Sequence, residues 1–78
     1  MSGRVAQVFA DVLRVPVEDV NDDMSPDNTS QWDSKSSMEL ALAIEDAFSI
    51  RLSTKEIVSI RTVGMVKKVL RNRGITDI

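Results

Sequence analysis

Apolar residues near the start of the chain recur at the spacing of a helix. Val5, Val8, Phe9, Val12 and Leu13 follow one another at i, i+3, i+4, i+7 and i+8, which places them on one face of an amphipathic helix. This pattern predicts a first helix over residues 3–14. The helix should end before Pro16, because proline disfavours helical backbone in the residue that precedes it.

The next segment, residues 15–33, has no periodic apolar stripe. It contains two prolines and several acidic side chains, which is typical of a loop. A loop of this length in a small domain is expected to carry function or to pack as an ordered segment. We predict that the following side chains hold it on the core: Val15, Val17, Val20, Met24 and Trp32.

A second helix is predicted over residues 34–48. Asp33 precedes it and can accept hydrogen bonds from the free amides of the first turn, where its charge also meets the positive end of the helix dipole. With about 100° between successive residues, one broad face is apolar and should lie in the core. This face consists of Leu40, Ala41, Ala43, Ile44, Ala47 and Phe48.

Two further helices complete the pattern. Ser53 and Glu56 form a capping box that predicts a third helix over residues 54–60, with Leu52 and Ile57 at the positions of a hydrophobic staple. Thr62 can cap a fourth helix over residues 63–72, and Gly74 is a C-terminal stop signal. The apolar stripe of this helix is Val63, Val66, Val69 and Leu70. No segment alternates as a strand does. The sequence therefore predicts one all-α domain over residues 1–78, a four-helix bundle with a long first loop and a short third helix.

Composition argues against catalysis by the chain alone. The 78 residues include no cysteine and no histidine. The chain therefore has no thiolate nucleophile and no imidazole base, and it lacks the usual zinc ligands. We predict neither catalytic residues nor a metal site. No apolar run approaches the roughly 20 residues that span a membrane, and the N-terminus lacks the apolar stretch of a signal peptide, so we expect a cytoplasmic location.

Charge is unevenly distributed along the chain. Residues 1–39 hold three basic and eight acidic side chains, whereas residues 40–78 hold seven basic and four acidic ones. An acidic chain is a poor partner for nucleic acid, whose phosphates repel it. A small DNA-binding helical domain remains an alternative, and it would use Arg61, Lys67, Lys68, Arg71 and Arg73.

Met38 and Leu42 lie one turn apart on the polar side of the second helix. Lys35, Glu39 and other charged residues surround them. Such a pair is either a set of scattered surface residues or part of a surface that binds a partner, and the pattern alone does not separate the two.

The segment Trp32-Asp33-Ser34-Lys35-Ser36-Ser37-Met38-Glu39-Leu40 resembles the start of the second helix in acyl carrier proteins and peptidyl carrier proteins. In that family an Asp-Ser-Leu motif opens this helix, which is acidic. The resemblance continues through Glu45-Asp46-Ala47-Phe48-Ser49-Ile50 and through Thr62-Val63-Gly64. It covers roughly residues 4–72, and the order of the predicted elements agrees with it.

The resemblance implies a carrier function. Ser34 matches the serine to which a separate, magnesium-dependent transferase attaches 4′-phosphopantetheine from coenzyme A, and Asp33 matches a residue that the transferase recognises. The thiol of this arm carries acyl groups as thioesters, so a cofactor supplies the thiol that a chain without cysteine lacks. The implied partners are the phosphopantetheinyl transferase, an acyl ligase or synthase, and the acyl chain. The chain is expected to be a monomer without catalytic activity.

The resemblance also assigns a partner surface. Lys35, Met38, Glu39 and Leu42 match positions that meet partner enzymes in the family. We expect the acyl chain to lie beside or partly within the core, against Ala41, Ile57 and Ile60.

Two residues depart from the family pattern. Lys35 replaces the usual leucine with a strongly hydrated cation, which changes the contact offered to a transferase or leaves open an unmodified, carrier-like adaptor. Ser49 stands where glycine is usual, so the turn must avoid or tolerate a left-handed conformation. The resemblance implies a role in fatty-acid, polyketide or another specialised biosynthetic pathway. Within the family, the Trp-Asp-Ser opening and the basic last helix are more like a specialised or stand-alone carrier than a carrier of fatty-acid synthesis, which is normally more acidic.

Overall fold

The computed structural model describes residues 3–76 and residue 78. It contains four α-helices, a short 3₁₀ helix in the long first loop, and no strand among the described residues. The helices are α1 (Arg4–Leu13), α2 (Ser34–Phe48), α3 (Thr54–Ser59) and α4 (Val63–Asn72), and the 3₁₀ helix spans Val17–Asp19. The predicted all-α class, the long first loop and the short third helix are confirmed.

The predicted bounds of α2 and α4 match the structure, and those of α1 and α3 are slightly too long. α1 is one residue shorter at each end than predicted, and α3 ends at Ser59 because Ile60 is extended. Arg14 and Ser49, which follow α1 and α2, both adopt a left-handed conformation, with φ of 58° and 54°. The turn after α2 therefore tolerates the strained region without a glycine.

One apolar core joins α1, α2 and α4. It includes the predicted stripe of α1 and most of the predicted face of α2, but Ala43 and Ala47 are half-buried and lie outside it. Trp32 extends the core, and its ring packs edge-on against Phe9 with the centroids 5.2 Å apart. The buried residues of the three helices are Val5, Phe9, Ala10, Leu13, Leu40, Ala41, Ile44, Val63, Val66 and Leu70. α3 has no buried residue, and its half-buried Ile57 packs against the edge of this core.

The long loop is ordered, but its contacts differ in part from the prediction. Met24 and Trp32 are buried and Val15 and Val20 pack against the core, as expected. The prediction for Val17 was wrong. Val17 begins the 3₁₀ helix, which has no buried residue, and it does not join the core.

Main-chain hydrogen bonds fasten the middle of this loop to the start of α4. The amide of Val63 donates to the carbonyl of Met24 at 3.2 Å, and the amide of Gly64 donates to the carbonyl of Asp22 at 3.1 Å. Amides in the first turn of a helix have no partner within the helix, so the loop supplies acceptors for them. An ion pair between Lys67 and Asp22, with 2.6 Å between Nζ and Oδ1, also joins the loop to α4.

Candidate functional site

The first turn of α2 presents three consecutive exposed residues, Asp33, Ser34 and Lys35. Asp33 is the N-cap, as predicted, and its Oδ1 accepts a hydrogen bond from the amide of Ser36 at 2.9 Å. Because Asp33 supplies the capping oxygen, the Ser34 hydroxyl is not needed to start the helix. Ser34 therefore offers an exposed hydroxyl at a fixed place on the surface.

The surroundings of Asp33 keep its carboxyl group ionised. The hydrogen bond from the Ser36 amide is the main cause that lowers the pKa of Asp33 below its ordinary value of 3.8. Hydrogen bonds that favour the charged form act in this direction. The residue before Ser34 is therefore a carboxylate under ordinary conditions, and it lies at the positive end of the α2 dipole.

A second set of hydrogen bonds holds the chain immediately before α2. The Ser36 hydroxyl donates to the carbonyl of Gln31 at 2.7 Å, and the indole Nε1 of Trp32 donates to the Ser37 hydroxyl at 2.9 Å. Because Trp32 is also buried against Phe9, the residues on both sides of Ser34 are tied down. The sequence predicted that Trp32 would be buried, but it gave no signal for these two serine contacts.

The four residues predicted to meet partner enzymes are all exposed: Lys35, Met38, Glu39 and Leu42. Met38 and Leu42 are 60% and 62% exposed, which is unusual for large apolar side chains. Val58 on α3 is 71% exposed, and it was missed because a single valine on a six-residue helix forms no recognisable stripe. Large apolar side chains are thus presented by both α2 and α3.

A narrow cleft lies between α2 and α3, beginning one turn from Ser34. The three residues expected to contact an acyl chain, Ala41, Ile57 and Ile60, all line it, together with Trp32, Ser37 and Leu40. Its interior has room for about one water molecule. The structure therefore brings the predicted lining residues together, in a cleft whose interior is almost filled by their side chains.

The residues around α3 include a carboxylate contact that sequence reasoning missed. Oε2 of Glu45, on α2, accepts a hydrogen bond from the amide of Leu52 at 2.7 Å. This contact ties the segment before α3 to α2. Glu45 is seven residues from Leu52, so neither the helical period nor a capping pattern indicates the pair.

Two of the five cations of the DNA-binding alternative are engaged within the chain. Lys67 pairs with Asp22, and Arg73 pairs with Glu56. Among residues 3–76 and 78, no group of three or more acidic side chains is arranged to hold a metal ion. Over the same residues, no helix combines the length and the apolar character that crossing a bilayer requires.

Comparison with known proteins gives two similarities. A family model described as the phosphopantetheine attachment site matches residues 3–70. A curated protein of Acidothermus cellulolyticus named acyl carrier protein is 26% identical over 72 residues, which cover 92% of this chain and 86% of that protein. The residues that the family model matches include the start of α2, where Ser34 lies.

Proposed function

The chain belongs to the phosphopantetheine attachment-site family, and on that premise we propose that Ser34 is the residue that carries 4′-phosphopantetheine, the cofactor of this family. The observation that carries the proposal is the geometry of the first turn of α2. Ser34 is exposed, its hydroxyl is not needed for the cap, and the residues on both sides of it are fixed by Asp33, Trp32 and Ser36.

The residues around Ser34 fit a phosphate ester. An ester on this hydroxyl would lie at the N-terminal end of a 15-residue helix, where the helix dipole favours negative charge. Lys35 adds an exposed cation beside it, while the Asp33 carboxylate is already engaged with the Ser36 amide. Ser34 can accept the arm without any change in the cap of α2.

Attachment of the arm is a substitution at phosphorus. The Ser34 oxygen forms a bond to the phosphorus next to the pantetheine portion of coenzyme A. The pyrophosphate bond breaks, adenosine 3′,5′-bisphosphate leaves, and the transferase removes the serine proton. When bound, the arm supplies a terminal thiol that holds acyl or aminoacyl groups as thioesters. The chain itself contributes the position of Ser34 and a surface for partner enzymes, and we assign it no catalytic activity of its own.

The partner surface in this proposal consists of Lys35, Met38, Glu39 and Leu42. It is supported by the exposure of two large apolar side chains one turn apart on the same helix as Ser34. Apolar groups and an adaptable methionine at the centre of a polar rim are typical of protein interfaces. The partners would be a phosphopantetheinyl transferase and an acyl ligase or synthase of a fatty-acid, polyketide or other specialised pathway, meeting a monomeric carrier in the cytoplasm.

The decisive experiment is the intact mass of the purified protein before and after incubation with coenzyme A, magnesium and a broad-specificity phosphopantetheinyl transferase. We expect a gain of one phosphopantetheine that is lost in Ser34→Ala. The matched control is Ser30→Ala, in an exposed serine four residues before Ser34 that has no part in the cap of α2, and it should still gain the arm.

Lys35→Leu separates the carrier from an unmodified adaptor. No gain in either the natural chain or Lys35→Leu, with both proteins folded, would refute the carrier function and favour the adaptor. A gain in Lys35→Leu alone would mean that Lys35 selects a dedicated transferase or disables the site.

A further inference from the structure

The two walls of the cleft between α2 and α3 are held in place by different means. On the α2 side, Leu40 and Ala41 are buried in the main core. On the α3 side, Ile57 and Ile60 are only half-buried, and α3 has no fully buried residue. Since apolar burial is the main source of stability, α3 is the wall that opens at the lower cost in free energy.

Within α3, polar contacts stabilise the first turn. The Ser53 hydroxyl accepts from the amide of Glu56 at 3.1 Å, and the carboxylate of Glu56 accepts from the amide of Ser53 at 2.9 Å. These two bonds form a capping box, which stabilises the helix itself. They do not fix α3 relative to the other helices, because both partners belong to the same segment.

Besides the packing of Ile57 against the core and the Glu45–Leu52 hydrogen bond, one polar contact joins α3 itself to another part of the chain, and it comes from Arg73, the residue after α4. Its Nε donates to Oε2 of Glu56 at 3.1 Å, and its Nη2 donates to Oε1 of the same carboxylate and to the carbonyl of Arg51. Such a two-pronged arginine–carboxylate pair is strong and strict in its geometry. We call the contact of Arg73 with Glu56 and Arg51 the Arg73 clasp. Arg73 lies beyond residues 3–70, which the family model matches.

We propose that the Arg73 clasp limits how far α3 moves away from α2, and that it thereby sets the size of the acyl cargo that the cleft accepts. The cleft has room for about one water molecule, so an acyl chain enters only when one wall moves. Neither Arg73 nor Glu56 lines the cleft, so both are positioning residues. The cargo in this inference rests on the proposed carrier function.

The first test measures the clasp without any cargo. Amide hydrogen exchange is followed in the full chain lacking the arm, for the natural protein, Arg73→Gln and Glu56→Gln. The control is Arg71→Gln, which removes an exposed arginine from α4 itself. We expect exchange at residues 57–60 to accelerate about fivefold or more in the two clasp variants and to change less than about twofold at residues 40–44.

An equal acceleration in both segments would overturn the inference, because it would indicate a general loss of stability. Unchanged exchange at residues 57–60 would overturn it as well. Arg71→Gln should leave both segments as they are in the natural protein.

The second test measures cargo size. The arm is loaded with saturated straight chains from butanoyl to dodecanoyl, and the rate of thioester cleavage by hydroxylamine is recorded. A chain inside the cleft is protected, so its cleavage slows. We expect the protected range to extend to longer chains in Arg73→Gln but not in Arg71→Gln.

The outcomes of the second test separate this inference from the carrier function. The inference alone would be overturned if the cleavage rate depended on acyl-chain length in the same way with and without the clasp. It would also be overturned if no chain length gave protection. Failure to attach the arm in both the natural chain and Lys35→Leu would instead overturn the proposed function, and the exchange measurement would still decide whether Arg73 holds α3.

Discussion

α2 and α3 face each other across the same cleft, yet they are stabilised in opposite ways. α2 places Leu40, Ala41 and Ile44 in the core. α3 has no buried residue, and its half-buried Ile57 is supplemented by a capping box and by the Arg73 clasp. Burial is insensitive to pH, and it couples α2 to global unfolding. Polar contacts at the surface stabilise a short helix less than burial does, and their loss affects only that helix. We therefore expect α2 to stay in place until the whole domain unfolds, and α3 to move more readily.

The largest effect is expected from Ile44→Ala on the α2 side. Ile44 is fully buried, so its truncation should lower the free energy of unfolding by about 2–5 kcal/mol. Denaturant unfolding followed by circular dichroism measures this loss. The matched control is Leu42→Ala on the exposed face of the same helix, which should change the value by less than about 0.5 kcal/mol. Similar losses in both variants would mean that α2 is not anchored by one face.

The same truncation on the opposite wall, Ile57→Ala, should cost less. Ile57 is half-buried, so less apolar area is lost, and we expect a reduction of about 1–1.5 kcal/mol in the free energy of unfolding. The same denaturant measurement compares the two isoleucines directly. A loss as large as that in Ile44→Ala would break the distinction between a buried wall and an adaptable one.

The start of α2 beside Ser34 gives a third, smaller effect. Asp33→Ala removes the cap of α2 and should cost about 1 kcal/mol of stability, whereas Asp33→Asn keeps a capping oxygen and should cost little. Because the folded pKa of Asp33 is lowered, the carboxylate's contribution to stability is fully present above its ordinary pKa of 3.8. That contribution is lost as the pH falls through the lowered folded value.

Thermal unfolding of both Asp33 variants at neutral and acidic pH measures these effects. Arm attachment in Asp33→Asn then separates the two roles of this residue. Slow attachment in this well-capped variant would show that the charge of Asp33 is recognised by the transferase. Normal attachment would limit Asp33 to capping.

The smallest expected effect is the pH dependence of the ion pair between Glu56 and Arg73 on the α3 side. The hydrogen bonds from Arg73 are the main cause that lowers the pKa of Glu56 from its ordinary value of 4.5 to about 2. The ion pair should therefore contribute its full stability above about pH 4.5 and lose it between that value and about pH 2. Carboxyl chemical shifts of Glu56 measured by NMR should report this pKa.

Arg73→Gln sharpens the same measurement. Removing the guanidinium should raise the pKa of Glu56 toward its ordinary value, while Arg71→Gln should leave it low. A Glu56 that titrates normally in the natural protein would show that the Arg73 clasp does not form in solution.

Most of the fold was predictable because its signals are local. The starts of α2, α3 and α4 each follow from a residue that caps an amide three positions later: Asp33, Ser53 and Thr62. The apolar stripes predicted the buried faces of α1, α2 and α4 for the same reason, since helical spacing is a property of neighbouring residues. Ser34 and its exposed neighbours were likewise identified from one continuous segment.

Contacts between distant segments were not predictable in the same way. The free amides of α4 bond to the carbonyls of Asp22 and Met24, but any exposed carbonyl is chemically suited to that role. The position of Val17, half-buried outside the core, also depends on the path of the loop. A valine in a loop carries no periodic signal that separates a core contact from a surface turn.

The sequence by itself determined where α2, α3 and α4 begin, which faces are mainly apolar, and that Ser34 directly follows the cap of α2, because each depends on residues within one or two helical turns. Only the tertiary structure decided that Glu56 pairs with Arg73, that Glu45 accepts from the Leu52 amide, and that α3 forms a cleft wall without a buried residue. A charged side chain can pair with any opposite charge that the fold brings within reach. The choice of partner is therefore made by the packing of the helices.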